Sequence, residues 1–383
     1  MKKGYRHWIW MAVVTSAAWA QRPCPVDKRF LHLPERSKSA TTYLRDSGDT
    51  LWVPLAIHVV ESNPGEFPIE RIGQQIAVLN RDYAPAKIQF YLPRYGPGGL
   101  PTCGVTRTVS ALASHDWTSE EDTLKRMIHW PPDSFLNIWI VKWMPMQVIG
   151  YARALGDTES IPGTVLVSDV VGEGPGLRRP YDGGRTAVHE IGHVFSLLHP
   201  FESGCRGTTP ATCAIEGDEI CDTPPQREAH YGCPASSTNT CNELPTDNPD
   251  PINNFMGYVD DACMNQFTPE QIQRMRLFLL TQGVTLISEA NKQARGFQLP
   301  SDTSCTAAAG LVSPAYRPSA LWNGSVLRVP GAQALYLYDA TGKLLLYQLS
   351  ESVDASLFPR GVYVLVAVGR WGVLSYRLAI DNP

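Results

Sequence analysis

The sequence predicts a mixed α/β domain followed by a small antiparallel β-sandwich, and three observations predict it. Apolar, β-branched runs alternate with an amphipathic helical stretch through the first half of the chain. A second apolar helix there carries two histidines and a glutamate. After about residue 296 the pattern changes to short strand-like runs separated by turn residues. With 383 residues, 43% hydrophobic and 18% charged, the chain can build one sizeable core and a second, smaller domain.

The elements follow in order. Residues 21–48 are rich in Pro, Ser, Lys, Arg and Thr without periodicity, and read as a leader segment. Val53–Val60 is an apolar run with strand character. Ile69, Ile72, Ile76, Leu79 and Tyr83 then recur at helical spacing, predicting a helix over 68–83. Ile88–Leu92, Leu136–Val141 and Gly163–Ser168 predict further strands; the second is apolar on both faces, as a strand covered on both sides must be. Between Cys205 and Asp261 the chain is dominated by Gly, Pro, Asp, Thr and Cys and predicts a loop-rich subdomain stapled by disulfides. Thr268-Pro-Glu-Gln271 then marks a helix start with a capping box, with Phe267 and Ile272 placed as a hydrophobic staple. Beyond a linker at 297–314, Leu335–Tyr338, Leu344–Tyr347, Val362–Val368 and Val373–Leu378 predict the strands of the C-terminal sandwich, 315–383.

Composition excludes some functions. The net charge of −4 supplies no basic field for nucleic acid. Lys2, Lys3 and Arg6 precede a short apolar run from Trp8 to Ala17, and Ala18-Trp-Ala20 presents small residues at the positions a signal peptidase reads. Residues 1–20 are therefore expected to be a signal peptide, leaving no transmembrane segment in the mature chain; the alternative is an uncleaved anchor. Nine cysteines without a CxxC pair fit an oxidising, exported context. Cys205, Cys213, Cys221, Cys233, Cys241 and Cys263 cluster, and fifteen pairings of them are possible.

The chemistry is carried by His189-Glu190-Ile191-Gly192-His193. On a helix, positions i and i+4 share one face, so both imidazoles can reach one metal ion. Glu190 is placed to meet a water on that metal, whose pKa zinc lowers to about 7, and to pass its proton to a leaving amine. Arg185-Thr-Ala-Val188 enters the motif on an apolar stretch, so the three polar side chains would be buried and need a polar purpose. His199 follows six residues after His193, and Met256 lies downstream in Asn254-Phe-Met256-Gly-Tyr258.

Together these residues resemble the metzincin peptidases, whose pattern is HExxHxxGxxH followed by a methionine turn. The likeness is to the pappalysin family. It is carried by His199-Pro-Phe-Glu, Gly217-Asp-Glu-Ile-Cys-Asp-Thr-Pro and Asn254-Phe-Met-Gly-Tyr-Val-Asp-Asp-Ala-Cys-Met-Asn-Gln-Phe-Thr. Upstream it extends through Leu136-Asn-Ile-Trp-Ile-Val and Ile149-Gly-Tyr-Ala, covering about residues 50–285. The resemblance implies a zinc metallopeptidase catalytic domain over 49–296, with a mixed sheet and an active-site helix. It implies His189, His193 and His199 as zinc ligands and Glu190 as general base. Met256 becomes a floor beneath the metal, and Tyr258 a donor to the substrate oxyanion. It further implies calcium held by Asp218, Asp222 and Thr223. Cys233 is expected to pair with Cys263, Cys241 with Cys205 or Cys213, and Cys221 with the one remaining. Some relatives use a leader cysteine as a fourth zinc ligand, which gives that role in a latent form to Cys24, with cutting near Arg36 or Arg45 as activation. The competing expectation is a disulfide from Cys24 to Cys103 or Cys305.

One position departs from the pattern. Ser196 stands where the family has glycine, and a left-handed backbone there costs a non-glycine residue about 1 kcal/mol. Either Ser196 takes that conformation or the helix ends differently. Asp260 and Asp261 follow the methionine turn, where an acid would favour Arg or Lys after the scissile bond; they could instead cap a turn or bind cations. Leu335-Tyr-Leu-Tyr-Asp-Ala-Thr-Gly-Lys-Leu and Leu357-Phe-Pro-Arg-Gly-Val-Tyr-Val-Leu-Val resemble the C-terminal sorting domain of the type IX secretion system of Bacteroidetes, the alternative being a carbohydrate-binding sandwich. The expected protein is an exported endopeptidase acting on proteins or peptides, carried through the periplasm by that machinery to the surface or medium. The alternative class is an adhesion or substrate-binding protein with a structural metal site. Glu190 argues against it, since a structural zinc site fills all four positions and needs no base.

Overall fold

The computed structural model describes residues 48–158 and 160–297, and the part of 321–380 that excludes 323–325, 331, 340–343, 349, 370 and 371. The expected signal peptide, the expected leader up to residue 47, Cys24 and Cys305 lie outside the described residues.

The chain opens with β1 (Leu51–Glu61), α1 (Glu70–Asp82), β2 (Ile88–Tyr91), β3 (Val105–Val109), α2 (Glu121–Met127), β4 (Leu136–Val141), β5 (Gly150–Arg153) and β6 (Gly163–Val167). These strands form one sheet in the order β2-β1-β4-β6-β5, with β3 beside the second half of β1. Every pairing is parallel except that of β5 with β6, which makes the sheet mixed and places β5 at its edge. The strand predicted to be covered on both faces is central. Leu136, Ile138 and Ile140 of β4 point into the main core, while Trp139 and Val141 point into a second cluster on the opposite face. Buried His58 of β1 spans to its neighbours by hydrogen bonds to Asn137 (2.9 Å) and Thr106 (2.8 Å). Burial lowers its pKa to about 4, so it stays neutral there.

The helix α3 (Arg185–Val194) follows β6 and packs against β5 and β6. After it no helix or strand falls between Pro200 and Asp260, all of them described residues. Then come α4 (Pro269–Thr281) and α5 (Glu289–Ala294). The capping box of α4 is formed as predicted, with the Thr268 hydroxyl accepting from Gln271 N–H and the Gln271 side chain accepting from Thr268 N–H. The strands β3 and β5 and the helices α2 and α5 were not anticipated. Each is short: β3 reads Val-Thr-Arg-Thr-Val and β5 only Gly-Tyr-Ala-Arg, too little for a periodic signal.

The C-terminal strands are β7 (Leu321–Trp322), β8 (Val326–Arg328), β9 (Ala332–Asp339), β10 (Leu344–Gln348), β11 (Ser352–Asp354), β12 (Gly361–Gly369) and β13 (Gly372–Ile380). They form antiparallel sheets ordered β10-β9-β12-β13 and β11-β8-β7. Leu327, Val329 and Val353 share a core with Leu335, Leu337 and Leu365 of the other sheet, which is the expected sandwich.

The loop region carries disulfides Cys205–Cys241, Cys213–Cys221 and Cys233–Cys263, which agrees with the pairing the resemblance implied. Cys103 is also disulfide-bonded.

Candidate active site

The helix α3 is buried along nearly its whole length, so its polar residues face protein and not water. Asp261 fixes its entry: the carboxylate accepts from Gly183 N–H (2.9 Å) and Arg185 N–H (3.1 Å), satisfying donors at the helix N-terminus. Gln75 of α1 brackets the same turn, donating to Gly184 C=O and accepting from Gly172 N–H. Tyr83 donates its hydroxyl to the Val188 carbonyl at 2.9 Å from the other side.

The exit is a Schellman turn. Leu197 N–H donates to Gly192 C=O (3.0 Å) and Ser196 N–H to His193 C=O (2.9 Å), with Ser196 at φ 75°. Ser196 thus takes the left-handed conformation that the family gives to glycine. Its buried hydroxyl lies 3.4 Å from the Arg274 guanidinium of α4, which also approaches Glu219 at 3.5 Å. The turn aims the Leu197 carbonyl at His193 Nδ1, 2.7 Å away, and carries the chain round to His199.

His189, His193 and His199 converge. Their Nε2 atoms are separated by 3.0, 3.1 and 3.3 Å, and among the described residues they are the group of His, Cys, Asp or Glu side chains able to hold a metal ion together. A tetrahedral ion at the usual zinc–nitrogen distance would set such nitrogens about 3.3–3.4 Å apart, so the triad fits one. The tautomers fit too. His189 Nδ1 lies 2.8 Å from the Phe255 carbonyl and His193 Nδ1 faces the Leu197 carbonyl. A carbonyl can only accept, so Nδ1 carries the proton and Nε2 presents its lone pair inward. Burial, then the neighbouring His199 ring, holds the His193 imidazole well below its ordinary pKa, in the neutral form that ligates.

Met256 is buried against α3, where a methyl group on Gly192 would overlap its sulfur. The turn bearing Met256 is set by Asn254, whose side-chain oxygen accepts from Met256 N–H (2.9 Å) and whose amide donates to Gln271 (2.8 Å). Gln271 thus closes the α4 capping box and holds the methionine turn together. That second role left no signal in the sequence, because it depends on a contact between residues seventeen apart. Tyr258 packs its ring against His199 and His189, at centroid distances of 5.0 and 5.7 Å, and against Phe201 at 4.9 Å. Of the two acids after this turn, Asp261 is committed to the entry of α3.

Asp218, Asp222 and Thr223 lie together before α4. Asp218 is buried, and burial pushes its carboxyl up to about 8 against the pull of Ile220 N–H and Arg274. One oxygen of Asp218 and one of Asp222 have no hydrogen-bond partner. Unsatisfied, partly desolvated carboxylate oxygens are the donor set a hard cation takes. The other Asp222 oxygen accepts from Glu270 N–H at the start of α4.

Fold and site together define a metalloendopeptidase. Residues 120–280 match the peptidase M43 family, described as pregnancy-associated plasma protein-A. An extracellular metalloprotease of Pyricularia oryzae is 34% identical over 249 residues, covering 63% of this chain and 78% of the relative. Extracellular metalloprotease 1 of Coccidioides posadasii is 36% identical over 230 residues, covering 57% and 73% respectively. Mature mirolysin of Tannerella forsythia, solved with a cleaved peptide, matches with a TM-score of 0.56 and 29% identity over 64% of this chain and 98% of that one. Tannerella forsythia promirolysin matches equally well in TM-score, 0.56, over 66% of this chain and 87% of its own. The chain belongs to the M43 peptidase family. Its fungal relatives are named extracellular, and among the described residues no helix is long and apolar enough to cross a membrane.

Proposed function

We propose that the protein is an exported zinc endopeptidase in which His189, His193 and His199 hold the metal and Glu190 is the general base. The convergence of the three Nε2 atoms, with the facing Nδ1 groups directed at backbone carbonyls, carries this reading. Zinc, when bound, supplies Lewis acidity toward water and the scissile carbonyl. Glu190, one residue after the first ligand on a buried helix, accepts a proton from the attacking water at its carboxylate and delivers it to the departing nitrogen. Tyr258 donates its hydroxyl to the carbonyl oxygen as negative charge develops there. Met256 supplies an apolar floor that fixes the triad from below. Asp260 favours a basic residue after the scissile bond.

Asp218, Asp222 and Thr223 hold calcium, an ion that offsets the burial of Asp218. Residues 1–20 direct export, 21–48 form a leader, 49–296 the catalytic domain, 297–314 a linker, and 315–383 a sandwich that engages a type IX secretion route. Latency through Cys24 as a fourth ligand requires Cys103 to pair with Cys305, and disulfide mapping of the unreduced chain tests that pairing directly. The test of the catalytic reading is Glu190→Ala: the variant should retain one zinc per chain and lose about 10²–10⁴ in turnover on a peptide library. Near-normal turnover would remove Glu190 from the mechanism.

A further inference from the structure

Glu190 needs room as well as charge, and that room comes from the edge strand. The residues of β5 that face α3 are all small: Gly150 and Ala152, continued by Ala154, whereas Tyr151 points into the cluster on the other face of the sheet. Small residues at alternate positions let the helix approach the strand closely. At Gly150 the approach leaves no space at all. A Cβ there would lie 2.8 Å from Glu190 Oε1, 2.9 Å from its Cγ and 3.1 Å from its Cδ. These atoms are the carboxylate itself and the stem that carries it. The backbone of Gly150 is ordinary strand, paired with Leu166 and outside the left-handed region, so its conformation does not demand glycine.

We propose that Gly150 is a positioning residue for the base: the missing side chain at this point in β5 is what seats the Glu190 carboxylate beside the metal-ligand triad. The inference rests on the reading of Glu190 as general base. A methyl group at 150 displaces the carboxylate or pushes β5 from α3, and misplacing a catalytic group by about 1 Å can cost on the order of 10²-fold in rate. The histidines are not among the nearest atoms that a methyl group would meet, so metal binding is spared.

A double-mutant cycle in the full chain tests this. Gly150→Ala should lower kcat on the order of 10²-fold, with KM and zinc content close to wild type. In a Glu190→Asp background, where the carboxylate is withdrawn by one methylene, the same change should cost no more than about twofold. Thermal melting supplies a readout independent of activity: Gly150→Ala should lower the melting temperature when Glu190 is present and not when it is Ala. Should Gly150→Ala alone fail to fold, folding of Gly150→Ala/Glu190→Ala sustains the proposal, and failure of both overturns it. Equal losses in both backgrounds, or full activity of Gly150→Ala while Glu190→Ala is inactive, also overturn it and leave the base assignment standing. Full activity of Glu190→Ala would instead remove that assignment, and the inference with it.

Discussion

The two halves of the active site are held by different means. The helix α3 is held mainly by regular structure: α1 supplies Gln75, the turn after it Tyr83, the sheet its β5 and β6 faces, and Asp261 caps its entry. The stretch from Pro200 to Asp260, which leads from His199 to the methionine turn, has no helix or strand and is tied by Cys205–Cys241, Cys213–Cys221 and Cys233–Cys263. His189, Glu190 and His193 belong to the first half, while Tyr258 and the Asp218 cluster belong to the second. The difference separates what burial secures from what covalent bridges must secure. Hydrophobic packing fixes a helix face without help, whereas a loop of this length needs cross-links to lose its conformational freedom.

Removing a staple is the strongest way to break that comparison. Cys233 ties the loop to Cys263, immediately after the turn bearing Met256 and Tyr258. Cys233→Ser/Cys263→Ser should cost about 2–4 kcal/mol of stability. Hydrogen exchange should rise across 200–263 while amides of α3 and β4 keep their protection. Uniform loss of protection across both halves would show that they unfold as one unit.

A smaller effect sharpens the comparison through pH. Burial raises the Asp218 carboxyl from 3.8 to about 8. The native state therefore binds more protons than the unfolded one between those values, and stability falls as pH rises through that window. Calcium at this cluster would compete with the proton, so its gain in melting temperature should be larger at pH 8 than at pH 5. In Asp218→Asn that pH dependence should flatten. A calcium response independent of pH in the wild type would detach Asp218 from the ion.

The smallest effect lies at the joint between the halves. Ser196 holds φ 75° without being glycine, so Ser196→Gly should relieve about 1 kcal/mol of backbone strain. The loss of the Arg274 contact opposes part of that gain. A melting temperature well below wild type would mean that Arg274 contributes more through Ser196 than the strain costs.

The same division explains what could be read from the sequence. The central strand Leu136–Val141, the helix from Glu70, the capping box at Thr268 and the paired histidines of α3 declare themselves through period, caps and spacing, all of them local. His199, Met256 and the disulfide pairing were legible only through resemblance to a family, because no periodicity links residues across an irregular loop. The contacts that hold the site stayed hidden altogether. Asp261 at the entry of α3, Asn254 against Gln271 and Gly150 against Glu190 join residues distant in sequence, and nothing in their own surroundings marks them. Ser196 was visible as a departure, but only the Schellman turn reveals that its conformation is kept and not its residue type.

The central claim, that one metal ion at the three histidines supports catalysis with Glu190, is tested most directly by a zinc titration of the stripped protein. With calcium present throughout, the chelated chain should show no peptidase activity. Activity should return in proportion to added zinc and level off at about one equivalent, as a single tetrahedral site requires, while His199→Ala should need a large excess. Full activity in the zinc-free chain, or stoichiometric recovery in His199→Ala, would contradict the account.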